Sequence, residues 1–135
     1  MTIMTSTTSY RVRYADTDQM GVVYYGNYAR FYEIGRSEMI REMGMAYAEL
    51  EASGVMMPVY SVEAVYRGVL RYDELIRIET SVREVPEARM TFHHRIFNQE
   101  EELAHEATVV LVFLDRHTNR PVRAPRRLLE VMGEV

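Results

Sequence analysis

The apolar period of this chain changes at one point, and that change restricts the architectures open to it. Tyr28, Phe31, Tyr32, Gly35, Met39 and Met43 recur at steps of three and four, the signature of one helix face. Beyond Gly54 the period is two. "PVYSVEAVYRG" places Tyr60, Val62, Ala64 and Tyr66 on one side, and "LIRIETSVREV" does the same with Ile76, Ile78, Thr80 and Val82. "ARMTFHHRIFNQ" and "ELAHEATVVLVFLDR" follow at hairpin spacing, with turns at "PEA" and near "NQEEE".

The helix is expected to open at Asn27, a good capping residue, and to end near Gly44. Arg30, Glu33, Arg36, Ser37, Arg41 and Glu42 then form its solvated face. A first strand is expected over Ser9 to Ala15, a short helix over Tyr47 to Ala52, and a last helix opened by Pro125. One strand, one long helix and a run of antiparallel strands define an α+β domain whose sheet wraps the helix. At 135 residues the whole chain, 1–135, reads as a single domain. The run "VVLVFL" predicts a strand buried on both faces, so a second copy is expected to cover one face or extend an edge.

Composition removes several chemistries. There is no cysteine, which excludes disulfides, thiol catalysis and cysteine-ligated zinc and agrees with a cytoplasmic setting. All 16 basic residues are arginine, so phosphate-loop, Schiff-base and lysine-dependent phosphatase chemistry is absent. A net charge of -4 argues against general nucleic-acid binding. No apolar run is long enough to span a bilayer, and the N-terminus lacks the pattern of a secretory signal. His93 and His94 are neighbours on a strand and point to opposite faces, while His105 and His117 are isolated. All four read as surface or satisfied histidines rather than metal ligands.

The segment "YADTDQMGVVYYGNYARFYE" carries the chemistry. "DTDQMG" suits an ordinary turn. As a calcium loop it fails, because the twelfth position from Asp16 is Asn27 rather than a bidentate glutamate. A phosphatase nucleophile motif fails too, since "YRVRYA" alternates with arginines where a buried strand is needed. An acid brought to a helix N-terminus has another use. Free N–H groups there stabilise an oxyanion, and the carboxylate attacks an acyl carbonyl or deprotonates the attacking water.

"RVRYADTDQMGVVYYGNYARFYEIGRSEM" resembles the active-site segment of the 4-hydroxybenzoyl-CoA thioesterase family of hotdog-fold enzymes, which includes the YbgC-like proteins. The match runs Arg11-Val12, four residues, Thr17-Asp18, two residues, Gly21 and Val23, then the aromatic opening of the helix. The resemblance implies a hotdog fold and hydrolysis of an acyl-CoA to free CoA and a carboxylic acid. Asp18 would be nucleophile or general base, and the backbone N–H of Tyr25 would polarise the carbonyl. Gly26, Asn27 and Tyr28 would shape the pocket. Many relatives carry histidine where this chain has Tyr25, so only a backbone role carries over.

Arg67 and Arg71 at a strand end, and Arg120, Arg123, Arg126 and Arg127 in the tail, are candidates for the CoA phosphates. The resemblance implies no metal or organic cofactor, a site between subunits, and a dimer or dimer of dimers, with a homotetramer the first expectation. The rival expectation is a non-catalytic acyl-CoA-binding or assembly subunit on the same scaffold.

Overall fold

The computed structural model describes residues 2–134. Strand β1 (Met4–Arg11) leads through two short 3₁₀ turns to helix α1 (Tyr28–Glu42) and then to α2 (Tyr47–Ala52). The strands β2 (Val55–Met56), β3 (Val59–Tyr66), β4 (Leu75–Val82), β5 (Arg89–Phe97), β6 (Leu103–Val112) and β7 (Leu114–Asp115) follow, and α3 (Arg126–Val131) closes the chain. The five long strands form one antiparallel sheet ordered β1-β4-β5-β6-β3, and β2 pairs with β7 in a separate ribbon.

The alternation in sequence becomes the two faces of this sheet. Ile76, Ile78, Thr80 and Val82 on β4 are buried, as are Met90, Phe92, His94 and Ile96 on β5 and Ala107, Val109 and Leu111 on β6. Helix α1, about 22 Å long at 1.5 Å per residue, lies on that face through Tyr28, Phe31, Tyr32, Gly35, Arg36, Met39 and Ile40. Gly35 is where the two layers come closest. A Cβ there would fall within contact distance of Thr80 Oγ1, 3.1 Å from Ile78 and 3.3 Å from His94 Nδ1. This is the helix-in-sheet architecture of the hotdog fold.

Four expectations are corrected. The first strand begins at Met4 and ends at Arg11, because Tyr14–Asp16 turn as a 3₁₀ helix instead of extending to Ala15. Arg36 belongs to the buried face, at 8% exposed, and its Nε has no partner among the described residues. The outer sheet face is not apolar: Arg77 pairs with Glu79 and Glu101, and Arg95 pairs with Glu79. Val110 and Val112 point to that face but are only partly buried among its polar neighbours, so "VVLVFL" does not require a cover.

The fourth concerns the histidines. His94 and His105 are both buried against α1, and His94 Nε2 and His105 Nδ1 have no partner among the described residues. His105 is not isolated: its ring stacks on Tyr28 at 4.1 Å and its Nε2 meets the Tyr32 hydroxyl.

Exposed apolar side chains gather instead along the β3 edge, on both faces of the sheet: Val62 and Tyr66 stand on the helix side, opposite Val109 and His105, and Val65 on the outer side, opposite Glu106. On β3, Val59, Tyr60, Val62, Val65 and Tyr66 are all exposed, and among the described residues one backbone edge of that strand has no neighbour in the sheet.

Candidate active site

The acid segment is a tight hairpin. Thr17 bridges Val23, the Asp18 N–H donates to Val22 O at 2.9 Å, and the Gly21 N–H donates to Asp18 O at 3.0 Å. Gly21 takes φ of 78°, the left-handed conformation that closes such a turn and that a side chain resists. The same hairpin is stitched to the segment before β4: Val23 N–H donates to Leu70 O, Tyr72 N–H donates to Gly21 O, and Val22 bridges Arg71. Within this frame Asp18 is partly exposed. Its Oδ1 accepts the Met20 N–H at 2.8 Å, and Oδ2 has no partner among the described residues.

Two residues past the Thr17–Val23 bridge the chain enters the 3₁₀ turn Tyr25–Asn27 that opens α1. Asn27 N–H donates to Tyr24 O, whereas the N–H groups of Tyr25 and Gly26 have no acceptor among the described residues. These are the free donors expected at a helix start. The Tyr25 ring is 67% exposed and packs against Tyr24 with centroids 4.7 Å apart.

Asn27 occupies the helix-capping position, but its side chain makes no cap. Its Nδ2 instead donates to the carbonyl of Asp16 at 2.9 Å. Tyr28 is buried between His105 and Tyr66, and burial, reinforced by the neighbouring Tyr66 phenol, pushes its hydroxyl up to about 12. Burial also lowers His94, to about 3 with help from the Arg36 charge, and His105, to about 4; both are neutral imidazoles at physiological pH.

Arg67 forms an ion pair with Glu106 across the end of β3. In the tail Arg123 pairs with Glu87, Arg126 with Glu130 and Arg127 with Glu49. Arg71, exposed beside the hairpin, has no carboxylate within ion-pair distance among the described residues.

Sequence reasoning singled out Asp18, Tyr25, Gly26, Asn27 and Tyr28, which all lie on the hairpin or the first residues of the helix it feeds. It passed over Tyr66, whose hydroxyl donates to Tyr25 O at 3.3 Å, and over Asp16, which is wholly buried. Asp16 had a sequence signal: an acid at the third position of a short helical turn accepts the N–H of the residue capping it, here Arg13 at 2.8 Å. Among the described residues, five of the concavities hold about 380 to 550 Å³ each, and neither Asp18 nor Tyr25 lines any of those five. Tyr25 at the opening turn and Tyr66 at the end of β3 are both exposed.

One long helix packed in an antiparallel sheet is the hotdog fold, the fold of a class of thioesterases. Residues 12–132 match the thioesterase-like superfamily, and the chain belongs to that family. It is 34% identical over 119 residues to the acyl-CoA thioester hydrolase YbgC of Escherichia coli O157:H7, covering 88% of this chain and 89% of that one. The acyl-CoA thioesterase YbgC of Haemophilus influenzae is 32% identical over 119 residues, with 87% of each chain covered. Among solved structures, the DHNA-CoA thioesterase of Staphylococcus aureus superposes with a TM-score of 0.90 at 32% identity, over 96% of this chain and 89% of that one.

Proposed function

We propose that this chain hydrolyses an acyl-CoA thioester to free CoA and a carboxylic acid, with Asp18 as nucleophile or general base. The backbone N–H of Tyr25, with that of Gly26 beside it, polarises the thioester carbonyl. The observation that carries this reading is the coincidence of unspent groups on one short segment. Among the described residues Asp18 Oδ2 has no partner, and seven and eight residues on, two backbone N–H groups at a helix opening have no acceptor. In other enzymes, loss of one oxyanion donor costs about 3 kcal/mol, so two such donors supply a large part of the rate without a metal or an imidazole. The names of the relatives at 32–34% identity support the substrate class.

The same reading makes the functional unit at least a dimer, acting in the cytoplasm, with a dimer of dimers as its fuller form. A long apolar edge strand left bare invites pairing with another chain. Along β3 a second copy would cover Val59, Val62 and Val65 and wall the space beside Tyr25 and Tyr66. Gly26, Asn27 and Tyr28 would then shape the acyl pocket, and Arg67 and Arg71 would lie on the approach for the CoA phosphates.

A panel of short, long and aromatic acyl-CoAs assayed with a thiol reagent tests the activity. Release of CoA that falls at least about 100-fold in Asp18→Asn, with the fold retained, is the expected result. Binding without release across the panel would favour the non-catalytic subunit instead. Parental rates in Asp18→Asn would overturn the assignment of the acid.

A further inference from the structure

Asp16, two residues before the proposed catalytic acid, is 0% exposed, and five donors converge on it. Its Oδ2 accepts the Tyr10 hydroxyl at 2.8 Å and the Arg13 N–H at 2.8 Å, and its Oδ1 pairs with the Arg30 guanidinium. Its main-chain oxygen accepts the Tyr24 N–H at 3.0 Å and Asn27 Nδ2 at 2.9 Å. The donors come from β1, the first 3₁₀ turn, the approach to the helix, its opening turn and its first full turn. Desolvating a carboxylate this completely is expensive, and hydrogen bonds that satisfy both oxygens offset the cost.

We infer that Asp16 is a positioning residue for the thioesterase reaction, clamping the Asp18 hairpin to the opening turn of α1. One side of the clamp leads directly into Asp18. The other ends on Tyr24, whose peptide carries the Tyr25 N–H, and on Asn27, which follows Gly26. With both sides tied to one residue, the acid and the two amides hold a fixed relative placement. Misplacing a reacting group by about 1 Å costs on the order of 100-fold in rate. Arg30 supplies the tie to the helix body, and Asn27 spends its amide on the clamp. The inference rests on the roles proposed for Asp18 and Tyr25.

Arg30→Met gives the cleanest test, because the side chain is 51% exposed and both residues are good helix formers. The clamp predicts, at a temperature where the variant is fully folded, a kcat lower by about 10- to 100-fold and a KM for the acyl-CoA within about threefold of the parent; the thermal midpoint itself falls, because Asp16 Oδ1 loses its partner. Arg30→Lys, which returns a cation to Asp16, recovers most of kcat. Asp16→Asn moves kcat in the same direction, and Arg30→Met carries the test alone if that variant does not fold. Parental kcat in Arg30→Met overturns the inference, as does a loss that follows the thermal midpoint and is not recovered by lysine. Asp18→Asn in the same assay separates the two levels of argument. Parental activity there removes the underlying roles, whereas an inactive Asp18→Asn beside a fully active Arg30→Met removes only the clamp.

Discussion

The hydroxyl of Tyr66 reaches the carbonyl of Tyr25 across 3.3 Å, joining the end of the exposed strand β3 to the opening turn of the helix. What pairs with β3 therefore bears on the site. Val62→Arg places a charge on the bare apolar part of that strand, and it is expected to shift the protein toward monomer in sedimentation or light scattering. Thiol release should fall with the loss of assembly. A fully active monomer would refute the shared site.

Arg71, beside the hairpin, has no carboxylate partner among the described residues, whereas Arg67 is occupied by Glu106. Arg71→Ala should raise KM for an acyl-CoA about tenfold with little change in kcat, the value of one charge-assisted contact. Arg67→Ala should do less. The effect should vanish with a truncated thioester that lacks the nucleotide phosphates; if it persists there, Arg71 does not meet a phosphate.

Gly35→Ala tests the closest approach of helix to sheet. Alanine gains about 1 kcal/mol in helix propensity, but its methyl would collide with Thr80 Oγ1, which is held at 3.0 Å from His94 Nδ1. Overpacking of this kind costs about 1–3 kcal/mol, so a net loss of stability is expected in urea unfolding. A stabilised variant would show that the layers can part without penalty.

The two core histidines set a pH dependence. Their folded-state values, about 3 for His94 and about 4 for His105, lie below the ordinary 6.5, and burial is the main cause of both. Between those values and 6.5 the unfolded chain binds protons that the folded chain does not. Stability is therefore undiminished above about pH 6.5 and falls as the pH drops below it, by up to about 1.4 kcal/mol per unit for each histidine. Urea midpoints measured from pH 4 to 8 should show this decline, and His105→Phe should flatten it. An unchanged slope in that variant would locate the acid sensitivity elsewhere.

The helix and the three central strands were legible because their core positions are apolar and regularly spaced. The start of strand β1 is not legible in the sequence because its inward positions are Met4, Ser6, Thr8 and Tyr10, where hydroxyls replace the apolar signal. Arg36 was misplaced for the opposite reason. Its period fits the buried stripe but its charge argues for solvent, and the sequence does not show that the fold sets it near His94, a buried imidazole held low by burial and by the Arg36 charge. In the candidate site the spacing of Asp18 from the helix was readable. The division of labour with Asp16 was not, since it depends on Tyr10 and Arg30, which reach Asp16 through the fold and not through sequence adjacency.

The polar outer face of the sheet has a practical use. Thr7 on β1 is exposed, stands opposite Glu79 on that face, and lies on the layer turned away from the helix. Because the chain has no native cysteine, Thr7→Cys would create a single thiol for a dye or surface tether. Molecules anchored there would present the hairpin and the bare strand to the medium, so turnover and assembly could be followed on an oriented layer.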